Sequence, residues 1–236
     1  MCYVIIISNN KKKMEYEVAI PLKAPSISCV FGQTGSGKTE WCVKLIQNAN
    51  FVYSKPVKKI MYCYMVWQEA FDRMLKIRPD IEFHKGIPTS DDLDNLVAAA
   101  PDEHYLLFLD DLQSIIFDSK HMIDLVCVKS HHNRISTVFI LQNIFGGGRY
   151  AKSITLQSQY LIAFKSMRDQ SQLGTISRQI FGTGKQGVIP EVMRDVMSKE
   201  PYGYVMIDLT PNIDDSLRIR TKILPNELMA VYKVVK

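Results

Sequence analysis

Phe31-Gly-Gln-Thr-Gly-Ser-Gly-Lys-Thr39, FGQTGSGKT, is the stretch that decides the fold. Gly32, Gly37, Lys38 and Thr39 satisfy the phosphate-loop pattern G-x-x-x-x-G-K-[ST]. A polyphosphate must rest on many backbone N–H groups, so the loop cannot carry bulky side chains or a restricted φ. Gly32, Gly35 and Gly37 give that freedom, and Gln33, Thr34 and Ser36 complete the loop between them. Lys38 reaches for the β- and γ-phosphates, and Thr39 offers its hydroxyl to Mg²⁺. The run Ile27–Phe31 before the loop reads as a short buried strand. Glu40 opens a helix that extends to Asn48, with apolar pairs Trp41/Leu45 and Cys42/Ile46 at i, i+4. Strand, loop and helix in this order aim a helix N-terminus at an anion, which a plain Gly-rich turn does not do. The reading is a site for a nucleoside triphosphate.

The chain around this loop has 236 residues, 47% hydrophobic and 22% charged, which suits one α/β domain with a substantial core. No apolar run approaches the length needed to span a bilayer; Tyr3–Ile7 is far too short for that and lacks a signal peptide's cleavage region. The five cysteines, Cys2, Cys29, Cys42, Cys63 and Cys127, form no C-x-x-C pair and several lie in apolar runs. Buried free thiols in a reducing compartment are expected. The net charge of +5 permits a nucleic-acid partner without requiring one. The clusters Lys11–Lys13 and Lys55/Lys58/Lys59, each taken alone, read as solvated surface.

Strands alternate with helices along the rest of the chain. Tyr3–Ile7 and Glu15–Ile20 read as a strand pair joined by a polar turn. Further strands are Ile60–Val66, Ile81–His84, Tyr105–Leu109, Ser136–Leu141 and Tyr160–Phe164. Helices are expected over Gln68–Ile77, from a cap at Thr89 or Ser90 to Pro101, and over about Ser119–Ser130. Another runs from an Asp169/Gln172 capping box to Phe181, and the next has Pro190 in its first position. Gly146–Arg149 reads as the most flexible segment, and Gly146–Lys152 as a mobile pore loop. A hairpin joining Tyr202–Leu209 to Leu217–Leu224 closes the chain. The expected fold is therefore α/β, a RecA-like P-loop NTPase core whose mostly parallel sheet has helices on both faces, with small β additions at both termini. The expected organisation is one domain over 1–236: a strand pair at 1–26, an ATPase core at 27–200, and a β-hairpin and tail at 201–236.

Ligands of such sheets bind beyond the carboxyl ends of the strands. Thr39, Asp110/Asp111, Gln142/Asn143 and Arg168 all fall just past such ends. An apolar strand followed by Asp110 is the Walker B pattern, with a carboxylate placed to serve Mg²⁺. Asp111 is then the candidate to orient or deprotonate water, the alternative being a cap for the next turn. Gln142 can hydrogen-bond water and γ-phosphate together, which suits a sensor of nucleotide state. Phosphoryl transfer needs a late cation, often from a neighbouring subunit. Arg134, Arg168, Arg149 and Arg178 are candidates, with Arg134 and Arg168 nearest the nucleotide edge. Finally, Leu217, Ile219, Thr221 and Ile223 alternate with Arg218, Arg220 and Lys222. The three cations read either as a DNA- or subunit-facing stripe or as guards on an edge strand.

These segments together resemble the genome-packaging ATPases of double-stranded DNA viruses in the FtsK–HerA superfamily, and within it the poxvirus-like and Polinton/adintovirus-type branch. The resemblance rests on Cys29–Thr39, Phe108-Leu-Asp-Asp-Leu112, Ser130-His-His-Asn-Arg-Ile-Ser136 and Thr137–Asn143. It continues through Phe164-Lys-Ser-Met-Arg-Asp169, Ile176–Phe181, Tyr202–Asp208 and Leu217–Thr221. The segments occur in the family's order over about residues 20 to 225. Relatives in this branch often carry Asn-Pro before the Arg-Asp pair, where this chain has Ser166-Met167.

The resemblance implies an ATPase that works as a homo-oligomeric ring, pentamer or hexamer, and drives double-stranded DNA into a preformed capsid, with contact at the capsid or portal vertex. It implies ATP and Mg²⁺ as cofactors: Lys38 and Thr39 on phosphate and metal, Asp110 on the metal, Asp111 on water and Gln142 on the γ-phosphate. Arg134, with Arg168 second, is the trans-acting arginine. The implied location is the reducing cytoplasm or nucleus of an infected host, at the viral assembly site, or the virion itself. Rival readings are a cellular or plasmid DNA translocase of the same superfamily, a P-loop small-molecule kinase, and an ATP-dependent assembly switch without turnover.

Overall fold

The computed structural model describes residues 2–6, 20–124, 132–166 and 171–234. The apolar runs form the strands β1 (Cys2–Ile6), β2 (Ile27–Phe31), β3 (Val57–Tyr64), β4 (Glu82–Lys85), β5 (His104–Asp110), β6 (Ile135–Leu141), β7 (Tyr160–Phe164), β8 (Tyr204–Asp208), β9 (Ile219–Thr221) and β10 (Ala230–Val234). Between them lie α1 (Lys38–Gln47), α2 (Ala49–Val52), α3 (Glu69–Ile77), α4 (Ser90–Val97), α5 (Gln113–Asp118) and α6 (Lys120–Ile123). After β6 come α7 (Ala151–Leu156), α8 (Ser171–Phe181) and α9 (Val188–Lys199).

All ten strands join one sheet in the order β1-β10-β9-β8-β7-β2-β6-β5-β3-β4. From β7 to β4 the pairs are parallel; from β7 outward to β1 they are antiparallel. The central strands β5, β6 and β7 are buried on every residue because both faces are covered. Val30, Leu106, Phe108, Val138 and Ile162 pack under α1, α2 and α3. Cys29, Phe31, Leu107, Leu109, Phe139 and Leu161 pack under α4, α5 and the helices from α7 to α9. Alternate residues of one strand thus feed two separate cores, which a half-exposed sheet does not need. The α/β class and mostly parallel sheet expected from the sequence are what is observed.

Register decides where the site falls. Phe31 pairs with Leu141, and Asp110 with Ile140. The phosphate loop, Gln142 and the Asp110–Asp111 step therefore start at one level of the sheet. The Gly32 N–H donates to the Leu141 carbonyl at 3.3 Å, so the loop is fastened to the strand that carries Gln142.

Several elements differ from the sequence reading. β1 pairs with β10, from the other end of the chain, while Glu15–Ala19 lie outside the described residues. The helix expected over about Ser119–Ser130 begins there as α6, with Ser119 extended and accepting from the Met122 N–H as its cap, but residues 125–131 lie outside the description; α5, which ends at the same serine, was not expected. The Asp169 cap of α8 also falls outside it. Pro190 is the third residue of α9 rather than the first, a position whose N–H has no intrahelical partner either.

The cation stripe is not a stripe. β9 lies between β8 and β10, so it is no edge, and only Ile219–Thr221 is strand. Arg220 is fully buried, its Nη2 donating to Asp208 Oδ2 at 2.5 Å. Arg218 turns to Asp215 and the Asp208 carbonyl, and Lys222 to Glu200. No common DNA-facing surface results from these three.

Candidate functional site

The phosphate loop runs from β2 into α1 over backbone that only glycine takes easily. Gly32, Gly35 and Gly37 have φ of 151°, 76° and 103°. Gly32 is also fixed by space: a Cβ there meets Phe164 Cβ at 2.7 Å, at the end of the neighbouring strand β7. Gly37 is the left-handed residue before α1, and its position lies against Phe164 and Tyr202. The loop is thereby held to β6 on one side and to β7 on the other.

Lys38 Nζ donates to the carbonyls of Gly32 and Gln33, at 2.6 and 3.0 Å. Burial lowers its pKa, opposed by the nearby Asp110 carboxylate. This half-buried ammonium makes its hydrogen bonds to neutral carbonyls and is only partly compensated by Asp110, which suits it to phosphate oxygens. Ser36 Oγ, inside the same loop, is buried and has no hydrogen-bond partner. These two groups fit a polyphosphate.

Asp110 ends β5 only 5% exposed. Burial pushes its carboxyl up to about 6, with Asp111 adding to the shift; the hydrogen bond from the Tyr62 hydroxyl, at 2.8 Å, and the Lys38 charge oppose it. A carboxylate that is poorly solvated and only partly compensated fits a divalent cation, and Thr39 presents a hydroxyl in the same cleft. Asp111 leaves the strand in the left-handed region at φ 57°, which turns the chain and puts its side chain in solvent at the cleft.

Gln142 is exposed in the same cleft. Its backbone is held by a residue the sequence reading missed. Gln113, on α5 just past Asp111, accepts from the N–H of Gln142 at 3.0 Å and of Asn143 at 3.4 Å, and donates to the Asn143 carbonyl at 2.9 Å. One amide thus ties the carboxylate strand's following helix to the Gln142 strand. Gln172 on α8 supports the next residue, accepting from the Ile144 N–H at 3.0 Å.

The cleft, about 810 Å³, gathers Thr34, Gly35, Gly37, Lys38, Thr39, Glu40, Asp110, Asp111 and Gln142 from three parallel strand ends. Glu40 faces Arg73 of α3 across its rim, with Nη2 to Oε2 at 2.7 Å. Arg73 was not among the residues singled out from the sequence.

The candidate arginines Arg134, Arg149 and Arg178 do not line this cleft. Arg134 precedes β6 and so stands at the amino end of the parallel strands, opposite the cleft, bonded to Asp102 and the Pro101 carbonyl. Its expected place at the nucleotide edge is corrected: adjacency to β6 in sequence did not specify which end of β6. Arg168 lies outside the described residues. Arg149 lies over the Tyr150 ring, 5.8 Å from its centroid, and Arg178 is exposed on α8.

The loop at Gly146–Arg149 is stitched down rather than loose. Tyr150 N–H donates to the Phe117 carbonyl at 2.8 Å and Arg149 N–H to Asp118 Oδ1 at 3.0 Å. A Cβ on Gly148 would meet Phe117 Cβ at 2.4 Å, so this glycine permits close approach to α5.

Cys29, Cys42 and Cys63 are buried and form no disulfide. Among the described residues no helix is long and apolar enough to cross a membrane.

A glycine loop feeding a helix at the end of a central parallel strand, with a carboxylate strand one position removed, defines a P-loop NTPase fold of the RecA-like kind. Protein-family models and curated proteins give no match to this sequence. Solved structures do. The genome packaging NTPase B204 from Sulfolobus turreted icosahedral virus 2 in complex with ATP-gammaS is similar at a TM-score of 0.50 and 15% identity, over 83% of this chain and 96% of that one. The same NTPase in complex with AMPPCP gives 0.50 and 13%, over 84% and 96%. EssC (ATPases 2 and 3) from Geobacillus thermodenitrificans gives 0.45 and 11%, over 88% and 39%. The likeness to the packaging NTPase is a likeness of fold.

Proposed function

We propose that this chain is an ATP-hydrolysing motor that moves double-stranded viral DNA into a preformed capsid. The observation that carries the reading is the convergence of Lys38, Thr39, Asp110, Asp111 and Gln142 in one cleft, at the carboxyl ends of β2, β5 and β6. The match of that fold to a genome packaging NTPase, and the ordered motifs of the FtsK–HerA resemblance, support the DNA-moving part.

Bound ATP supplies the phosphoryl group, and Mg²⁺ the charge that neutralises it. Lys38 exchanges its two carbonyl partners for phosphate oxygens, which compensates its desolvation. Thr39 and Asp110 hold the metal, and Tyr62 fixes the orientation of Asp110. Asp111 takes a proton from water, and the Gln142 amide, set by Gln113, orients that water. Arg168 or Arg134 of a neighbouring subunit supplies the late cation; Arg134, remote from its own cleft, acts only across such a boundary. The working form is a homo-oligomeric ring on duplex DNA at a capsid or portal vertex, in the infected cell.

The test is ATP turnover in the assembled oligomer against added duplex. Turnover should rise with duplex DNA and lose that stimulation steeply as salt increases, since phosphate contacts release counterions. Turnover indifferent to DNA would remove the motor reading. Transfer of the phosphoryl group to a nucleoside or nucleotide rather than water would favour a kinase instead.

A further inference from the structure

Beyond the phosphate loop the cleft continues to Lys44, Glu200, Pro201, Tyr202, Tyr204 and Glu227. Lys44 lies six residues along α1 from Lys38, about 9 Å at helical rise. That extension is what a nucleoside needs beyond its phosphates.

Its floor is aromatic. Trp41, Phe164 and Tyr204 pack edge-on or tilted, with centroids 5.7 to 6.5 Å apart. Tyr202 differs from them: it is 68% exposed, in the tight turn between α9 and β8, although its Cβ lies 3.3 Å from where a Gly37 Cβ would stand. The turn is rigid. Gly203 N–H donates to the Glu200 carbonyl at 3.2 Å, and a Cβ on Gly203 would meet Val196 Cγ1 at 2.5 Å. Pro201, immediately before Tyr202, has its φ fixed by its ring, and Lys222 pairs with Glu200. A large ring is thus held at the cleft, close to the phosphate loop, with most of its surface in solvent.

Glu227 supplies the polar counterpart. Its Oε2 accepts from the Tyr204 hydroxyl at 3.0 Å and from the Leu224 N–H at 3.4 Å. Oε1 lies 4.0 Å from Lys44 Nζ. A carboxylate oxygen accepts hydrogen bonds and cannot donate them. It therefore pairs with an exocyclic amine and repels a carbonyl at the same place.

We propose that Tyr202 and Glu227 form a base subsite that selects adenine: Tyr202 stacks on the ring, and Glu227 Oε1 accepts from the 6-amino group. Guanine presents a carbonyl at that position, and pyrimidines offer less surface to stack. The proposal rests on the nucleotide reading of the phosphate loop and adds the residues that tell adenine from other bases.

Calorimetric titration with ATP, GTP and inorganic tripolyphosphate, each with Mg²⁺, tests it on the unaltered protein and on Tyr202→Ala, Tyr202→Phe, Glu227→Gln and Lys38→Ala, with melting curves to confirm folding. The unaltered protein should bind ATP at least about tenfold more tightly than GTP or tripolyphosphate. Tyr202→Ala should lose about tenfold for ATP and nothing for tripolyphosphate, and Tyr202→Phe should retain ATP affinity. Glu227→Gln should bring ATP and GTP together. Equal affinity for ATP and GTP in the unaltered protein, or unchanged ATP affinity in Tyr202→Ala, would overturn the subsite. If tripolyphosphate binds and Lys38→Ala abolishes it while ATP gains nothing, the subsite alone fails. If neither ligand binds, the nucleotide reading fails with it.

Discussion

Replacing Asp110 by Asn should stabilise the free protein while removing its metal site. The folded-state pKa of Asp110 is raised from 3.8 to about 6, chiefly by burial. Near neutral pH the folded protein must hold this carboxylate charged against its preference. Roughly two units at about 1.4 kcal/mol each give an upper figure of about 3 kcal/mol. The side chain is 5% exposed, so solvent offers little relief. Asparagine keeps an oxygen for the Tyr62 hydroxyl but turns an N–H₂ toward the backbone N–H of Asp111, which costs about 1 kcal/mol. A net gain of about 1–2 kcal/mol remains, or roughly 2–8 °C in melting temperature for a chain of this size.

The pH dependence carries the sign. A raised carboxyl pKa means that the folded state binds the proton more tightly than the unfolded one. The penalty is absent below the unfolded value of 3.8, grows as pH rises, and is complete above about 6. Melting curves of both proteins in the absence of nucleotide, taken from about pH 4.5 to 7.5, should diverge as pH rises, with Asp110→Asn the more stable at the upper end. Equal or lower stability of Asp110→Asn at neutral pH, or a difference that does not change with pH, would refute this account of the buried carboxylate.

Other substitutions separate the roles. Lys38→Ala should lose nucleotide binding, whereas Asp111→Asn should bind normally and lose turnover by about 10²–10⁴-fold; equilibrium binding beside phosphate release distinguishes them. Gly146→Ala places a Cβ 2.0 Å from Gln113 Nε2, so the Gln113 amide must swing away and free the Gln142 backbone. Turnover should fall about tenfold with nucleotide affinity nearly unchanged, as expected for lost positioning. Arg220→Met leaves Asp208 buried without its cation and should cost about 3–5 kcal/mol in denaturant unfolding, while Arg220→Met/Asp208→Asn recovers much of it.

The convergence of Lys38, Asp110, Asp111 and Gln142 was legible because each follows an apolar run. In a parallel sheet, successive run ends fall on one edge. The residues that complete the cleft were not legible for the same reason. Gln113, Arg73, Tyr202 and Glu227 come from helices and turns whose neighbours in space are far away in sequence. The cations in and beside β9 misled because alternation looks identical whether Arg220 faces water or a buried Asp208. Arg134 was placed by nearness to β6 in the chain, without regard to strand direction. The pairing of β1 with β10 leaves no local trace, since its two strands come from opposite ends of the chain.

The most direct test of the motor itself is displacement of a third strand annealed to duplex DNA ahead of the assembled protein. The account predicts displacement that requires hydrolysable ATP and disappears with Lys38→Ala or Asp111→Asn. Displacement of the same extent by Lys38→Ala, or with a non-hydrolysable analogue, would contradict it.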